Sequence, residues 1–141
     1  MKNLLITTFL MVQTTFSFSS DCAYSFLSKG NQAYEENNFR EAIKQYNIAL
    51  QLDSNLYAAR FSRGMAYFAN EEYTAASIDF NTCVSFNPTD KTAWLQLALS
   101  NAALFNYFEA LEDFEKCSEL DPFDAAVYRY IEDCKIMLHG F

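Results

Sequence analysis

The sequence reads FREAIKQYNIALQLDS at residues 39–54, YTAASIDFNTCVSFNP at residues 73–88 and YFEALEDFEKCSELDP at residues 107–122. Each segment begins 34 residues after the previous one. In each, an aromatic residue stands first, an alanine fourth and an aromatic residue eighth. A fixed period of this length is typical of proteins in which one supersecondary unit stacks on copies of itself. The chain is therefore predicted to present an extended surface rather than one enclosed pocket.

Two helical segments of about fourteen residues are predicted in each repeat. The first helices are placed at 23–36, 57–70 and 91–104, and the second helices at 39–52, 73–86 and 107–120. Within the repeats, the helices are predicted to break at Asn37-Asn38, Glu71-Glu72 and Phe105-Asn106. A seventh helix, at about 124–138, is predicted to cap the third repeat. Asp90 and Asp124 are predicted to cap the helices that follow them.

These repeats resemble the tetratricopeptide repeat (TPR) family, whose unit has 34 residues. The positions that match its signature are Gly30, Gly64, Tyr67, Trp94, Ala42, Ala76, Ala110, Tyr46, Phe80, Phe114, Ala49, Pro88 and Pro122. Arg60, Lys29, Arg63 and Ser54 depart from that signature. The resemblance implies an all-α, right-handed TPR solenoid. Its units are 23–56, 57–90 and 91–124, followed by a capping helix at 125–141.

The resemblance also implies that the first helix of each unit lines a concave groove. The candidate ligand-binding residues of this groove are Tyr24, Leu27, Asn31, Tyr34, Phe61, Met65, Phe68, Leu95 and Leu99. Each apolar position could equally be core. Together, however, they predict an exposed apolar patch of the kind that binds a partner's apolar or amphipathic peptide or helix. We therefore expect a protein–protein interaction module or adaptor. The alternative is a non-catalytic structural subunit of a larger assembly.

Some TPR proteins hold the C-terminal carboxylate of heat-shock chaperones with five Lys, Asn and Arg residues. The corresponding positions of this chain are Leu27, Asn31, Ser62, Thr92 and Gln96. Only Asn31 retains the family residue, and none of the five supplies a positive charge. A chaperone C-terminal tail is therefore not the expected partner, and the identity of the protein or peptide partner is left open.

Other function classes lack the residues that they need. The net charge is −8 and no basic cluster occurs, which argues against a nucleic-acid partner. The sequence has no Gly-rich phosphate loop and no metal-ligand spacing, and its single histidine, His139, stands near the end. We expect neither catalysis nor a metal or cofactor.

Residues 1–20 have the three parts of a secretory signal peptide: Lys2, an apolar stretch at 4–12, and small residues at Ser17 and Ser19. The stretch is too short for a stable membrane span. The prediction is a secreted or periplasmic protein. The alternative is a cytoplasmic chain in which this segment is a retained apolar helix packed on the repeats.

Four cysteines show no zinc-binding pattern. Cys83 and Cys117 occupy equivalent places on neighbouring units, where packed helices are too far apart for a disulfide. Cys117 and Cys134 follow the same 17-residue offset as two pairs of small residues, Ala49 with Ala66 and Cys83 with Ser100. Either Cys117 and Cys134 form a disulfide, or both are buried free thiols.

Overall fold

The computed structural model describes residues 21–140, and this part of the chain holds seven helices and no strand. The first helix, α1, covers residues 21–35 of the described range. The others are α2 (Phe39–Leu52), α3 (Tyr57–Ala69), α4 (Tyr73–Phe86), α5 (Lys91–Ala103), α6 (Tyr107–Leu120) and α7 (Ala125–His139). The predicted all-α class is confirmed. The signal peptide predicted at residues 1–20 lies outside the described residues.

Each repeat turns at a residue with left-handed backbone: Asn37, Glu71 and Phe105 have φ values of 59°, 63° and 63°. The next residue's N–H donates to a carbonyl five residues back, as from Glu72 to Tyr67 at 2.8 Å. This bond closes the Schellman motif, which satisfies a carbonyl at the helix end. Because the motif recurs at the same place in all three units, the predicted breaks between helices are confirmed.

Aspartates begin two of the helices. The Asp90 carboxylate accepts from the N–H groups of Thr92 and Ala93, at 2.9 and 3.1 Å. The Asp124 carboxylate accepts from Ala126 at 3.0 Å. Both satisfy N–H groups that have no partner within the helix. The predicted caps are confirmed.

The chain divides after Ala59 into two compact units. In the first unit, the Tyr46 ring is buried and lies against Gly30, so closely that a Cβ on Gly30 would overlap the ring. The second unit repeats this arrangement, since a Cβ on Gly64 would lie 2.8 Å from Cε1 of Phe80. In both places the glycine allows the aromatic ring to reach the helix backbone.

The C-terminal part of the second unit is built around Phe114. The other buried members of its core are Ala98, Ala110, Cys117, Val127, Ile131 and Cys134. Three of these residues belong to α7, and the Tyr130 ring stacks on Phe114 with centroids 5.1 Å apart. The seventh helix therefore covers the apolar face of the third repeat, as predicted.

Lys91 ties the start of α5 to the connection between α6 and α7. Its Nζ donates to Oδ2 of Asp121 and to Oδ2 of Asp124, both at 2.8 Å. These charge-assisted hydrogen bonds raise the pKa of Lys91 and lower the pKa values of both carboxyl groups. Because Asp124 also caps α7, one lysine positions the start of two helices.

Candidate functional site

On α1, the four predicted groove residues differ in how far they reach solvent. Tyr24 is 57% exposed, whereas Leu27 is only 8% exposed and belongs to the core. Asn31 is exposed, but its Oδ1 accepts a hydrogen bond from the Tyr46 hydroxyl at 2.9 Å. The half-buried Tyr34 ring packs on Phe39, with centroids 5.4 Å apart. Tyr24 is therefore the member of this group that is free to contact a ligand without repacking.

The three predicted residues on α3 are half-buried. The edge of the Phe61 ring meets the Phe80 ring at 5.5 Å between centroids, and Phe68 meets Tyr73 in the same way at 5.2 Å. Such edge-to-face pairs hold each ring in one orientation. Each aromatic therefore presents part of its surface while the rest packs against the second helix of its repeat.

On α5, Leu95 and Leu99 are also half-buried and pack against the core around Phe114. The predicted groove residues of α1, α3 and α5, which we call the stripe, are thus less exposed than expected. Their large side chains pack partly inside their own repeats and partly reach solvent. What remains accessible on each helix is the part of these side chains that is not packed inside the repeat.

Arg60 and Arg63, the cations nearest to Phe61 in the sequence, both pair with Asp79 of their own repeat. Arg63 donates from Nε to Oδ2 of Asp79 at 2.7 Å and from Nη2 to Oδ1 at 2.6 Å. Arg60 lies 3.7 Å from the same carboxylate. Asp79 is only 1% exposed, and a buried carboxylate needs such partners. These two arginines, which depart from the family signature, therefore neutralise a buried carboxylate of their own repeat.

The five positions equivalent to the chaperone clamp carry no charge in the structure either. Leu27 is core, Asn31 bonds with Tyr46, Thr92 is exposed, and Ser62 and Gln96 are partly exposed. A ligand carboxylate at these positions would have hydroxyl and amide donors available but no cation. Such a site binds an anion much more weakly than one built from Lys and Arg.

The cysteines of the described residues are free thiols. Cys117 and Cys134 both belong to the buried core around Phe114, and the two thiols are not bonded to each other. Burial raises the pKa of Cys117 to about 12 and also raises the pKa of Cys134. The structure thus has the second of the two alternatives that the sequence left open.

No group of three or more His, Cys, Asp or Glu side chains in residues 21–140 is placed to hold a metal ion. Within the same range, no helix combines the length and the apolar character that crossing a membrane requires.

Sequence reasoning missed two arrangements on the second unit. One is the Arg60–Arg63–Asp79 cluster, although comparing repeats could have indicated it: Asp79 is aligned with Gln45 and Asp113, and Arg63 with Lys29 and Leu97. The other is the exposed Ile78, which stands where the neighbouring repeats have Lys44 and Glu112. An isoleucine at a position that is otherwise charged was a visible signal.

Two family models match most of the described chain. Residues 30–71 match a model described as TPR repeat, and residues 57–90 and 92–124 match one described as tetratricopeptide repeat. Among curated proteins, the chain is 29% identical over 94 residues to Tetratricopeptide repeat protein 12 of Homo sapiens. It is 32% identical over 94 residues to Translocon at the outer membrane of chloroplasts 64 of Pisum sativum. Each alignment covers 67% of this chain but only 13% and 16% of those proteins.

The chain is also similar to solved structures. The first TPR domain of Spaghetti (RPAP3), bound to the HSP90 peptide SRMEEVD, superposes with a TM-score of 0.78 at 25% identity, covering 84% of this chain and 94% of that one. The TPR domain of Arabidopsis OM64 superposes with a TM-score of 0.76 at 20% identity, covering 83% and 97%. The second similarity concerns the fold alone.

Proposed function

The chain belongs to the tetratricopeptide repeat family, and we propose that it is a protein–protein interaction module whose first helices bind an apolar or amphipathic segment of a partner. The observation that carries this proposal is the set of uncharged, largely apolar side chains that reach solvent from each of these helices. Tyr24 is exposed, and Phe61, Met65, Leu95 and Leu99 are half-buried. A helix laid in a groove binds through contacts of this kind. The ring contact with Phe80 orients Phe61 before a ligand arrives, which lowers the entropic cost of binding.

The proposed role requires no catalytic group. The thiols of Cys117 and Cys134 are the strongest nucleophiles of the α5–α7 core, but a pKa raised by burial leaves a thiol protonated and unreactive at neutral pH. A non-catalytic module therefore accounts for these residues without further assumptions.

A chaperone tail is the rival ligand, because the similar Spaghetti domain was solved with an HSP90 peptide. That peptide, SRMEEVD, ends in acidic residues and a terminal carboxylate. At the five corresponding positions this chain has Leu27, Asn31, Ser62, Thr92 and Gln96, none of which is a lysine or an arginine. We therefore propose that a partner of this chain lacks the acidic end.

A structural subunit is the second candidate function. The end of α7 exposes Ile136, Met137 and Leu138 in succession, and Tyr128 is exposed on the same helix. Exposed apolar residues in a cluster are typical of surfaces that another protein covers. In a purified sample, a structural subunit would associate or aggregate through α7, whereas the module would be a monomer.

Secretion or periplasmic export is proposed from the sequence of residues 1–20, which lie outside the described residues. Mass spectrometry of the natural N-terminus tests it. A mature chain that starts at Ser20 supports export, and a chain that retains the apolar stretch at 4–12 overturns it.

Fluorescence anisotropy with two labelled peptides tests the proposed binding mode. The first peptide, of about sixteen residues, places Leu at helical i, i+3, i+4, i+7 spacing among Gln residues, and the second is SRMEEVD. We expect the Leu/Gln peptide to bind more tightly. Phe61→Ala or Leu95→Ala should weaken it about tenfold, because each removes apolar contact area.

The matched control is Phe123→Ser, which removes an aromatic ring that is 93% exposed and outside the stripe. It should leave binding unchanged, and circular dichroism should show unchanged helicity in all variants. Tighter binding of SRMEEVD, or unaltered Leu/Gln binding in the Phe61 and Leu95 variants, overturns the proposal.

A further inference from the structure

A second surface of this chain combines apolar side chains with unneutralised negative charge. An open cleft of about 340 Å³ lies among α4, α5 and α6. Ile78 of α4 and Leu97 of α5 supply its apolar lining, and Glu109, Glu112 and Asp113 of α6 supply three carboxyl groups. We call this the outer cleft. Ile78 is 62% exposed although it is fully aliphatic.

A second hollow, of about 440 Å³, adjoins the outer cleft because Ile78 lines both. The second hollow is lined by Leu104, which follows α5, and by Glu71 and Glu72, which precede α4. Apolar side chains and at least two carboxyl groups line each of the two hollows.

None of the five carboxyl groups that line the two hollows makes a salt bridge with a described residue. Two of them accept a hydrogen bond from a side-chain amide: Asp113 from Asn101 at 2.8 Å, and Glu72 from Asn70. Between Arg63 and Lys116 the sequence has eight acidic residues but one basic residue, Lys91, which is held by Asp121 and Asp124. The negative charge of this surface is thus unopposed. Burial, with a smaller contribution from the neighbouring Glu112 and Glu109 carboxylates, raises the pKa of Asp113 to about 6.

From this combination we propose that the outer cleft is a second protein-binding surface, whose ligand is a basic amphipathic segment of a partner. Its apolar residues pack on the exposed Ile78 and the half-buried Leu104, and its Lys or Arg residues pair with the surrounding carboxylates. A second copy of this chain does not meet this description, because a net charge of −8 makes two copies repel. The chain's own residues 1–20 do not meet it either, since their only cation is Lys2.

The outer cleft is independent of the proposed apolar stripe on the first helices, and one module could hold two partner segments at once. The two surfaces bind partner segments of different chemistry, one basic and amphipathic and the other apolar. Binding to the cleft should weaken as salt screens its charges, whereas binding to the uncharged stripe should not.

The test uses a peptide with the same Leu spacing as the Leu/Gln peptide but with Lys in place of Gln, labelled for fluorescence anisotropy with the full chain. We expect Ile78→Ser, and separately the pair Glu109→Gln with Glu112→Gln, to weaken the Leu/Lys peptide about tenfold. Raising the salt from low to physiological concentration should weaken it further.

Two controls match these variants. Glu115→Gln with Asp133→Asn removes the same charge from exposed positions that do not line the cleft, and Phe123→Ser removes an exposed apolar group elsewhere. Both should change binding by less than about twofold. An equal loss in the charge control would mean that net charge alone attracts the peptide. That result overturns the proposal. Undiminished binding of the Leu/Lys peptide to Ile78→Ser overturns it too, as does loss of that binding in Tyr24→Ser.

Discussion

Arg63 and Asp79 are joined by two short parallel hydrogen bonds, from Nε to Oδ2 and from Nη2 to Oδ1, at a position where the carboxylate is cut off from water. The pair connects α3 to α4 inside the second repeat. Neither of the other repeats has an arginine and an aspartate at these places. The pair therefore distinguishes one repeat from its neighbours within an otherwise periodic core.

Removing either partner of this pair should destabilise the protein strongly. Arg63→Met leaves the Asp79 carboxylate buried beside Arg60 alone, and we expect a loss of about 3 kcal/mol in the free energy of unfolding, measured by urea denaturation. Asp79→Ala should cost a similar amount. Arg63→Met combined with Asp79→Leu should recover part of the loss, because no charge is then stranded. A single Arg63→Met variant as stable as the wild type would contradict this interpretation.

Asp113 occupies the position equivalent to Asp79 in the next repeat, and neutralising its carboxyl group should stabilise the protein. The pKa of Asp113 is about 6, raised first by burial, so the folded state favours the protonated form. The contribution of Asp113 to the free energy of unfolding is therefore greatest below the pKa of the unfolded state, near 4. It is lost as the pH rises through the folded-state pKa, near 6. Asp113→Asn should therefore be more stable than the wild type at pH 7, by about 1 kcal/mol after allowance for solvent screening.

The hydrogen bond from Asn101 can persist in this variant, because the new amide oxygen still accepts it. The advantage of Asp113→Asn should shrink towards zero as unfolding is measured at lower pH, down to about 4. A stabilisation that does not depend on pH would show that the charge of Asp113 is not its cause.

The glycines that face aromatic rings should not tolerate a methyl group. Gly64→Ala would place a Cβ 2.8 Å from Cε1 of the Phe80 ring, and that ring is fully buried. We expect a loss of about 1–3 kcal/mol by urea denaturation, since a packed ring cannot move away freely. The third repeat is the natural comparison, because Ala98 already stands at this position beside Phe114. Equal stability of Gly64→Ala and wild type would show that the Phe80 ring is loosely held.

The cysteines should differ in how fast they are alkylated, because they differ in burial. Cys22 is partly exposed and should react with iodoacetamide first in the native protein, as read by mass spectrometry. Cys117 and Cys134 should react only after unfolding, because burial protects them and raises their pKa values. If both resist the reagent in denaturant until a reductant is added, they form a disulfide in the natural protein.

Sequence periodicity predicted most of the fold because each helix end depends on local chemistry. The left-handed residues Asn37, Glu71 and Phe105 recur with the period, and Asp90 and Asp124 cap the helices as expected. Local hydrogen bonds of this kind can be inferred from neighbouring residues alone.

The surface was harder to predict, because exposure depends on contacts between distant residues. The stripe on the first helices was predicted from helical spacing. Spacing alone does not show that Leu27 is buried in the core or that the Phe61 ring packs against Phe80. Arg63 appeared to be an unexplained departure from the family signature until its partner Asp79, sixteen residues away, was placed beside it. Periodicity fixes which helix a residue is on, but packing decides which way the side chain faces.

Photo-crosslinking tests the central claim most directly. The Leu/Gln peptide, carrying a benzophenone at one Leu position, is bound to the full chain, irradiated and mapped by mass spectrometry. The account predicts crosslinks on α1, α3 and α5, at or beside Tyr24, Phe61 and Leu95. Crosslinks confined to α2, α4 and α6 would contradict it, because they would place the apolar ligand on the second helices of the repeats.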